Sequence, residues 1–265
     1  MGKNEINYNS LRDFYKLHPT MLSSPYTLHI DLFRKYGKRL TPLGLKIFSK
    51  SHFKDAKIYD FGCGTGNFLA FSKLNGAELC VGRDIENFLA KENVRYIDII
   101  EISSNLPVKQ ESNFFDIVVC TEVLEHTGDN WKSIIRELLR ITKKNGIIFI
   151  SIPNYSNLLG IVKWLFEITG FYRKQTWAPF QNYTPQIHEF PLKSYNILNE
   201  IRKFNVKILE KKSFWWIDAW LPWIHRHPEV KLYTGFIEFL RYTVDNALSR
   251  NPYGGLQFYC LIEKQ

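Results

Sequence analysis

From Lys57 to Pro153 short, almost continuously apolar runs alternate with amphipathic ones. That rhythm belongs to strands joined by crossover helices, the arrangement that builds a parallel sheet. The spacing predicts strands over Lys57–Phe61, Leu79–Arg83, Val94–Ile99, Phe115–Cys120 and Ile147–Ile152. Each lacks strict polar–apolar alternation, as expected of strands covered by helices on both faces. Between them, Trp131, Ile134, Ile135, Leu138 and Leu139 recur at offsets of three and four and predict a helix from Asp129 to Lys144, stopped at Asn145-Gly146. A shorter helix from Asn67 to Asn75 closes in the same way at Gly76.

Beyond Pro153 the pattern breaks. An insert over about 154–187 surrounds the apolar stretch Leu158–Ile168 with Asn, Gly and Pro. Its charged residues, Lys163 and Glu167, fall four apart on one helix face. A helix over Leu192–Phe204 and a strand over Val206–Ser213 restore the alternation. A second insert, about 214–255, then holds the aromatic run Phe214 to Trp223 before a last strand, Leu256–Glu263. The expected organisation is an N-terminal helical arm over 1–50 and one α/β domain over 51–265 carrying both inserts as lids. No internal repeat interrupts it.

The composition, 45% hydrophobic and 23% charged, is that of a folded globular chain and argues against disorder. The opening MGKNEINYNS is polar, without the apolar stretch of a signal peptide, and Ile6 stands where a myristoylation motif requires Ser or Thr. A cytoplasmic protein is the expectation. Cys63, Cys80, Cys120 and Cys260 are far apart and form no Cys-x-x-Cys pair, which points to reduced structural thiols. A net charge of +9 admits an anionic partner, nucleic acid or membrane surface, but equally a basic solvated surface, since no five consecutive residues are Lys or Arg.

The chemistry gathers after the first strand, in Tyr59-Asp60-Phe61-Gly62-Cys63-Gly64-Thr65-Gly66. Glycines there allow a sharp turn and a close backbone approach to a ligand, with helix amides behind them. The loop departs from the dinucleotide fingerprint, which needs Gly-x-Gly-x-x-Gly, and it lacks the Lys-Ser/Thr ending of a phosphate loop. At the end of the second strand, Asp84 falls about 20 positions past the glycines, where a carboxylate can accept hydrogen bonds from both hydroxyls of a ribose. An Asp there also suits the start of the next helix as an N-cap.

Together with Asp84, the segments Tyr59 to Gly66, Leu106-Pro107 leading into Ser112 to Val118, Thr121 to His126, and Lys144 to Ile147 resemble the class I S-adenosylmethionine-dependent methyltransferases, in order and in spacing. The likeness is dense over residues 55–155 and loose elsewhere. It implies a Rossmann-like seven-stranded, mostly parallel sheet with helices on both faces and an antiparallel last strand inserted beside the fifth. It also implies S-adenosylmethionine as cofactor. Asp60 would hold the methionine ammonium, and the backbone from Gly62 through Cys63 and Gly64 to Gly66 would lie along the methionine portion. Asp84 would hold the ribose, with Ile85 and Thr121 beside the cofactor. A carboxylate or amide after the third strand would meet the adenine, with Glu101 the first choice and Asp98 its rival. Arg83 departs from the family pattern, which has a small or apolar residue before the ribose acid.

On the acceptor side, Glu122, Glu125 and His126 follow the fourth strand, and His188 precedes the helix after the first insert. His126 and His188 are candidates for base or substrate-binding roles. The four residues also make an acceptable divalent-metal set. They resemble the ligands of the small-RNA 3′-terminal 2′-O-methyltransferases, although Glu-Val-Leu-Glu-His is widespread among small-molecule and glycan methyltransferases. Trp215, Trp216, Trp220 and Trp223 can form an aromatic wall for an acceptor, an anchor for peripheral membrane contact, or ordinary core. The leading expectation is O-methylation of a small-molecule, glycan or lipid-linked acceptor. RNA 2′-O-ribose methylation with a metal, and a non-catalytic S-adenosylmethionine-binding subunit, are the alternatives.

Overall fold

The computed structural model describes residues 53–91, 93–156, 192–214, 243–244, 247–248, 250–255 and 257–265. The N-terminal arm, the Leu158–Ile168 stretch, the tryptophan cluster and His188 lie outside the described residues. Seven strands, β1 (Lys57–Phe61), β2 (Leu79–Asp84), β3 (Ile99–Ile102), β4 (Phe115–Thr121), β5 (Thr142–Pro153), β6 (Val206–Phe214) and β7 (Gln257–Lys264), form one sheet in the order β3-β2-β1-β4-β5-β7-β6. β1, β2 and β3 pair in parallel, and β7 lies beside β5 and antiparallel to β6. The helices are α1 (Asn67–Leu74), α2 (Trp131–Ile141) and α3 (Ser194–Ile201). Among the described residues no helix is long and apolar enough to cross a membrane.

By its contacts the chain divides into two compact units. One runs through Val119 and takes in Arg140–Ile147; the other holds Cys120–Leu139 and everything from Ile148. In the first, Ile58, Tyr59, Cys80, Val81, Phe115 and Val118 are fully buried, which explains why their strands read as unbroken apolar runs. α1 packs closely on β2: a Cβ at Gly82 would lie 2.8 Å from Cys63 Sγ and 2.9 Å from Leu69 Cδ1. In the second, Ile134, Ile135 and Leu138 of α2 are buried, as are Ile197, Leu198 and Ile201 of α3 and most of β7. Glu200, also buried, takes Lys203 at 2.6 Å and Arg136 at 3.8 Å, so α2 and α3 are tied by an ion-paired cluster. The four cysteines are buried and no disulfide joins them. Burial is the main cause that pushes the Cys80 thiol up to about 12.

Several boundaries differ from the sequence expectation: β5 begins at Thr142 and not Ile147, α3 is shorter at both ends, and two further shifts have a visible cause. Val94–Tyr96 forms a 3-10 turn, and the third strand starts only at Ile99. Buried Asn93 holds the turn by donating from Nδ2 to Thr65 O at 2.8 Å and Asn67 Oδ1 at 2.9 Å. The Asp98 carboxylate then accepts from Cys80 N at 2.7 Å and pairs with Lys73. These side-chain contacts override a strand-like apolar pattern. α2 likewise ends at Ile141, not Lys144, because the amides of Asn113 and Phe114 donate to the carbonyls of Arg140 and Ile141 at 2.9 and 2.8 Å. The exposed carbonyls of a helix end need partners, and here a distant segment supplies two of them.

Candidate functional site

β1 carries Asp60 into the first unit's interior at 2% exposure, and its Oδ1 finds no hydrogen-bond partner among the described residues. Burial first, and the Asp84 carboxylate second, push its carboxyl from 3.8 up to about 8. A buried carboxylate with an unsatisfied oxygen is costly alone and becomes favourable when a cation joins it.

The loop that follows turns through Gly62, Gly64 and Gly66, with φ of 79°, 49° and 79°. The amides of Gly62 and Cys63 both donate to Arg83 O, at 2.8 and 3.0 Å. Gly64 N donates to Asp84 Oδ2 at 2.8 Å, and Ile85 N to Asp84 Oδ1 at 2.8 Å. A carboxylate offers about four acceptor positions, so after these two bonds Asp84 retains acceptor capacity on both oxygens. At Gly64 an added Cβ would meet nothing within 4 Å, whereas at Gly66 it would lie 2.6 Å from Ile97 Cδ1 and 2.9 Å from Leu89 Cδ2. Gly66 is therefore small for packing, and Gly64 leaves its side of the loop open. Ile85 next to Asp84 is 58% exposed, an apolar surface beside the carboxylate.

The structure thus brings Asp60, the glycine loop, Asp84 and Ile85 together. Glu101 stands differently. Register pairs it with Arg83, one position short of Asp84, and places it on the sheet face shared by Tyr59 and Arg83. Its carboxylate accepts from Tyr59 Oη at 2.9 Å and from Gln110 Nε2, with Arg83 Nη1 at 3.7 Å. Burial, then Glu101, holds the Tyr59 phenol well above its ordinary value. Asp98, the rival, is engaged by Cys80 N and Lys73. Thr121 ends β4 and is buried.

In the second unit, the chain after β4 turns at Glu122, whose φ is 54°. Glu122 N donates to Ser151 O at 3.1 Å, and Ser151 Oγ to Glu122 Oε1 at 2.7 Å. A 3-10 turn over Leu124–His126 then buries Glu125 at 1% exposure while His126 keeps 32%. His126 Nε2 lies 3.7 Å from Glu125 Oε1. Among the described residues no group of three or more His, Cys, Asp or Glu side chains could hold a metal, and His188, the fourth residue of the expected set, lies outside them. Sequence reasoning missed Ser151 and Asn93, which carry no motif. Arg83 was visible as a departure from pattern, without a role.

A buried carboxylate with one oxygen unpartnered among the described residues, an open glycine turn, and a second carboxylate beside an exposed apolar side chain fit an amino acid joined to a nucleoside, as in S-adenosylmethionine. On the seven-stranded sheet, these features define a class I S-adenosylmethionine-dependent methyltransferase. Residues 29–206 match the family described as "Methyltransferase domain", and the chain belongs to that family. It is 26% identical over 231 residues to a ubiquinone biosynthesis O-methyltransferase of Rickettsia bellii, covering 83% of this chain and 90% of that one. A ribosomal protein L11 methyltransferase of Fusobacterium nucleatum is 31% identical over 135 residues, 47% of this chain and 42% of its own. The crystal structure of an S-adenosylmethionine-dependent methyltransferase from Mesorhizobium loti is similar in fold, with a TM-score of 0.52 and 14% identity over 80% of this chain and 93% of that one.

Proposed function

We propose that this methyltransferase acts on a hydroxyl oxygen of a small-molecule, glycan or lipid-linked acceptor, with His126 taking the hydroxyl proton. The observation that carries the reading is the Glu125–His126 pair after β4: a buried carboxylate 3.7 Å from a partly exposed imidazole. A carboxylate so placed stabilises the imidazolium that forms when the ring accepts a proton. The likeness to an O-methyltransferase across most of both chains supports oxygen as the acceptor atom.

S-adenosylmethionine supplies a methyl group already activated on a sulfonium, so the chain's own residues mainly bind, align and exclude water. Asp60 would pair with the cofactor's ammonium, the Gly62–Gly66 backbone would hold its methionine portion, and Asp84 would accept from its ribose hydroxyls. Ile85 would offer an apolar surface to its adenosine part. Glu122, fixed by Ser151, shapes the turn that presents His126. The second histidine candidate, His188, would share base or substrate-binding duty with His126.

The test is transfer of labelled methyl to separate pools of phenolic small molecules, glycans, lipids and RNA, followed by determination of the methylated atom. Alkali-stable methyl ethers in one of the first three pools support the proposal. N-methyl products, label confined to RNA, or cofactor binding with no transfer to any pool would overturn it. If transfer is lost on dialysis against a chelator and restored by a divalent ion, Glu122, Glu125, His126 and His188 become the metal's ligand set.

A further inference from the structure

Arg83 is buried at 3% exposure, in the middle of the first unit's polar contacts, at a position where a small or apolar residue would suffice for a sheet strand. A guanidinium out of water needs compensation, and it is provided from three sides. Its Nη2 donates to Asn105 O, its Nη1 lies 3.7 Å from Glu101 Oε2, and its Cζ sits 5.3 Å from the centre of the Phe61 ring. The same residue's backbone carbonyl accepts the Gly62 and Cys63 amides that open the glycine turn. One residue before the ribose carboxylate therefore grips two segments: the glycine turn by its main chain and the stretch after β3 by its side chain. That stretch is also joined to the carboxylate's own residue, since Ser103 N donates to Asp84 O at 2.9 Å.

Glu101 takes its meaning from this arrangement. Its carboxylate meets Tyr59, Gln110 and Arg83, and register puts Glu101 with Tyr59 and Arg83 on the sheet face away from Asp60 and Asp84. We propose that Arg83 is a positioning residue of the cofactor site, setting the spacing between the glycine turn and the segment after β3, and that Glu101 is its counter-ion and not a ligand of the adenine base.

The inference rests on the cofactor assignment above, and the experiment separates the two. Binding of S-adenosylhomocysteine and of its 6-oxo analogue S-inosylhomocysteine is measured by titration calorimetry, well below the melting temperature, for the full-length protein and for Glu101→Gln, Arg83→Lys and Arg83→Met. A carboxylate that reads the adenine amino group discriminates the two bases, and Gln in its place erodes that discrimination. A counter-ion does not. The expected result is that Glu101→Gln and Arg83→Met weaken both ligands by the same factor, about tenfold or more for Arg83→Met, with their affinity ratio held within about twofold. Arg83→Lys should recover part of the loss. A ratio altered about tenfold in Glu101→Gln would overturn the counter-ion role. Affinities unchanged in both Arg83 variants, with only the melting temperature lowered, would reduce Arg83 to scaffolding and overturn the positioning role. Should Arg83→Met not fold, Arg83→Lys and Glu101→Gln decide alone. If the unsubstituted protein binds neither ligand, the cofactor assignment fails, and this inference with it.

Discussion

Replacing Asp60 with Asn should make the cofactor-free protein more stable while removing most of its affinity for S-adenosylmethionine. Asp60 is 2% exposed, its Oδ1 has no partner among the described residues, and its carboxyl is raised from 3.8 to about 8. Between those two pH values the folded state keeps a proton that the unfolded state has released. Unfolding free energy therefore falls as pH rises, by ~1.4 kcal/mol for each pH unit, and the loss is complete above the folded value. From 3.8 to about 8 this amounts to a total on the order of 6 kcal/mol. Asn carries no such penalty. Near pH 4 the two proteins should have similar stability, and by pH 8 the variant should lead by several kcal/mol, with the gap widening steadily between. Denaturant unfolding followed by tryptophan fluorescence at half-unit steps from pH 4.5 to 9 measures the slopes. The ammonium partner vanishes with the carboxylate, so cofactor affinity should fall by about 100-fold, the order of a lost buried ion pair. Parallel pH slopes in the two proteins would refute the account of Asp60 as a lone buried carboxylate. Undiminished binding by the variant would refute its role toward the cofactor.

Other substitutions separate packing from binding. Gly64→Ala meets no neighbour and should cost ~1–2 kcal/mol for its left-handed backbone, yet weaken cofactor binding strongly; calorimetry alongside a melt checks both. Gly66→Ala adds contacts at 2.6 and 2.9 Å to the same backbone strain and should lower stability by a further ~1–3 kcal/mol. Asp84→Ala removes the acceptor of Gly64 N and Ile85 N and should weaken S-adenosylmethionine binding at least tenfold by titration; unchanged affinity would contradict its ribose role. His126→Gln should lower kcat by about 10²–10⁴ with cofactor affinity unchanged, as loss of a general base requires, and a full rate would exclude it as the base.

The centre of the sheet was legible in the sequence because β1, β2, β4 and the later half of β5 are buried on both faces: Ile58, Val118 and Ile150 sit in runs that hydrophobicity alone delimits. The glycines were legible because backbone needs restrict the residue types in a tight turn, Asp84 through its spacing from them, and Asp60 only through the family resemblance. What escaped was decided by contacts between distant residues. Asn93 fixes a turn where Val94 to Ile99 suggest a strand, and the amides of Asn113 and Phe114 decide where α2 stops. The expectation puts Glu101 after the third strand, whereas β3 runs on to Ile102 and includes it. Only register shows that it shares a face with Arg83 and not with Asp84.

The staple at the end of α2 bears on the next strand as well as on a boundary. Asn113 and Phe114 fix Arg140 and Ile141, and Asp116 fixes Lys143 at 2.7 Å, so the opening stretch of β5, residues 142–147, is pinned where it leaves α2. Beyond it, Ile148 through Ile152 are buried on both faces of β5, and Ser151 reaches Glu122. A strand shifted by one position presents every side chain to the wrong face. One residue added between Ile148 and Ser151, a run that carries no chemistry of its own, would turn Ser151 to the opposite face of β5, away from Glu122, and loosen the turn before His126.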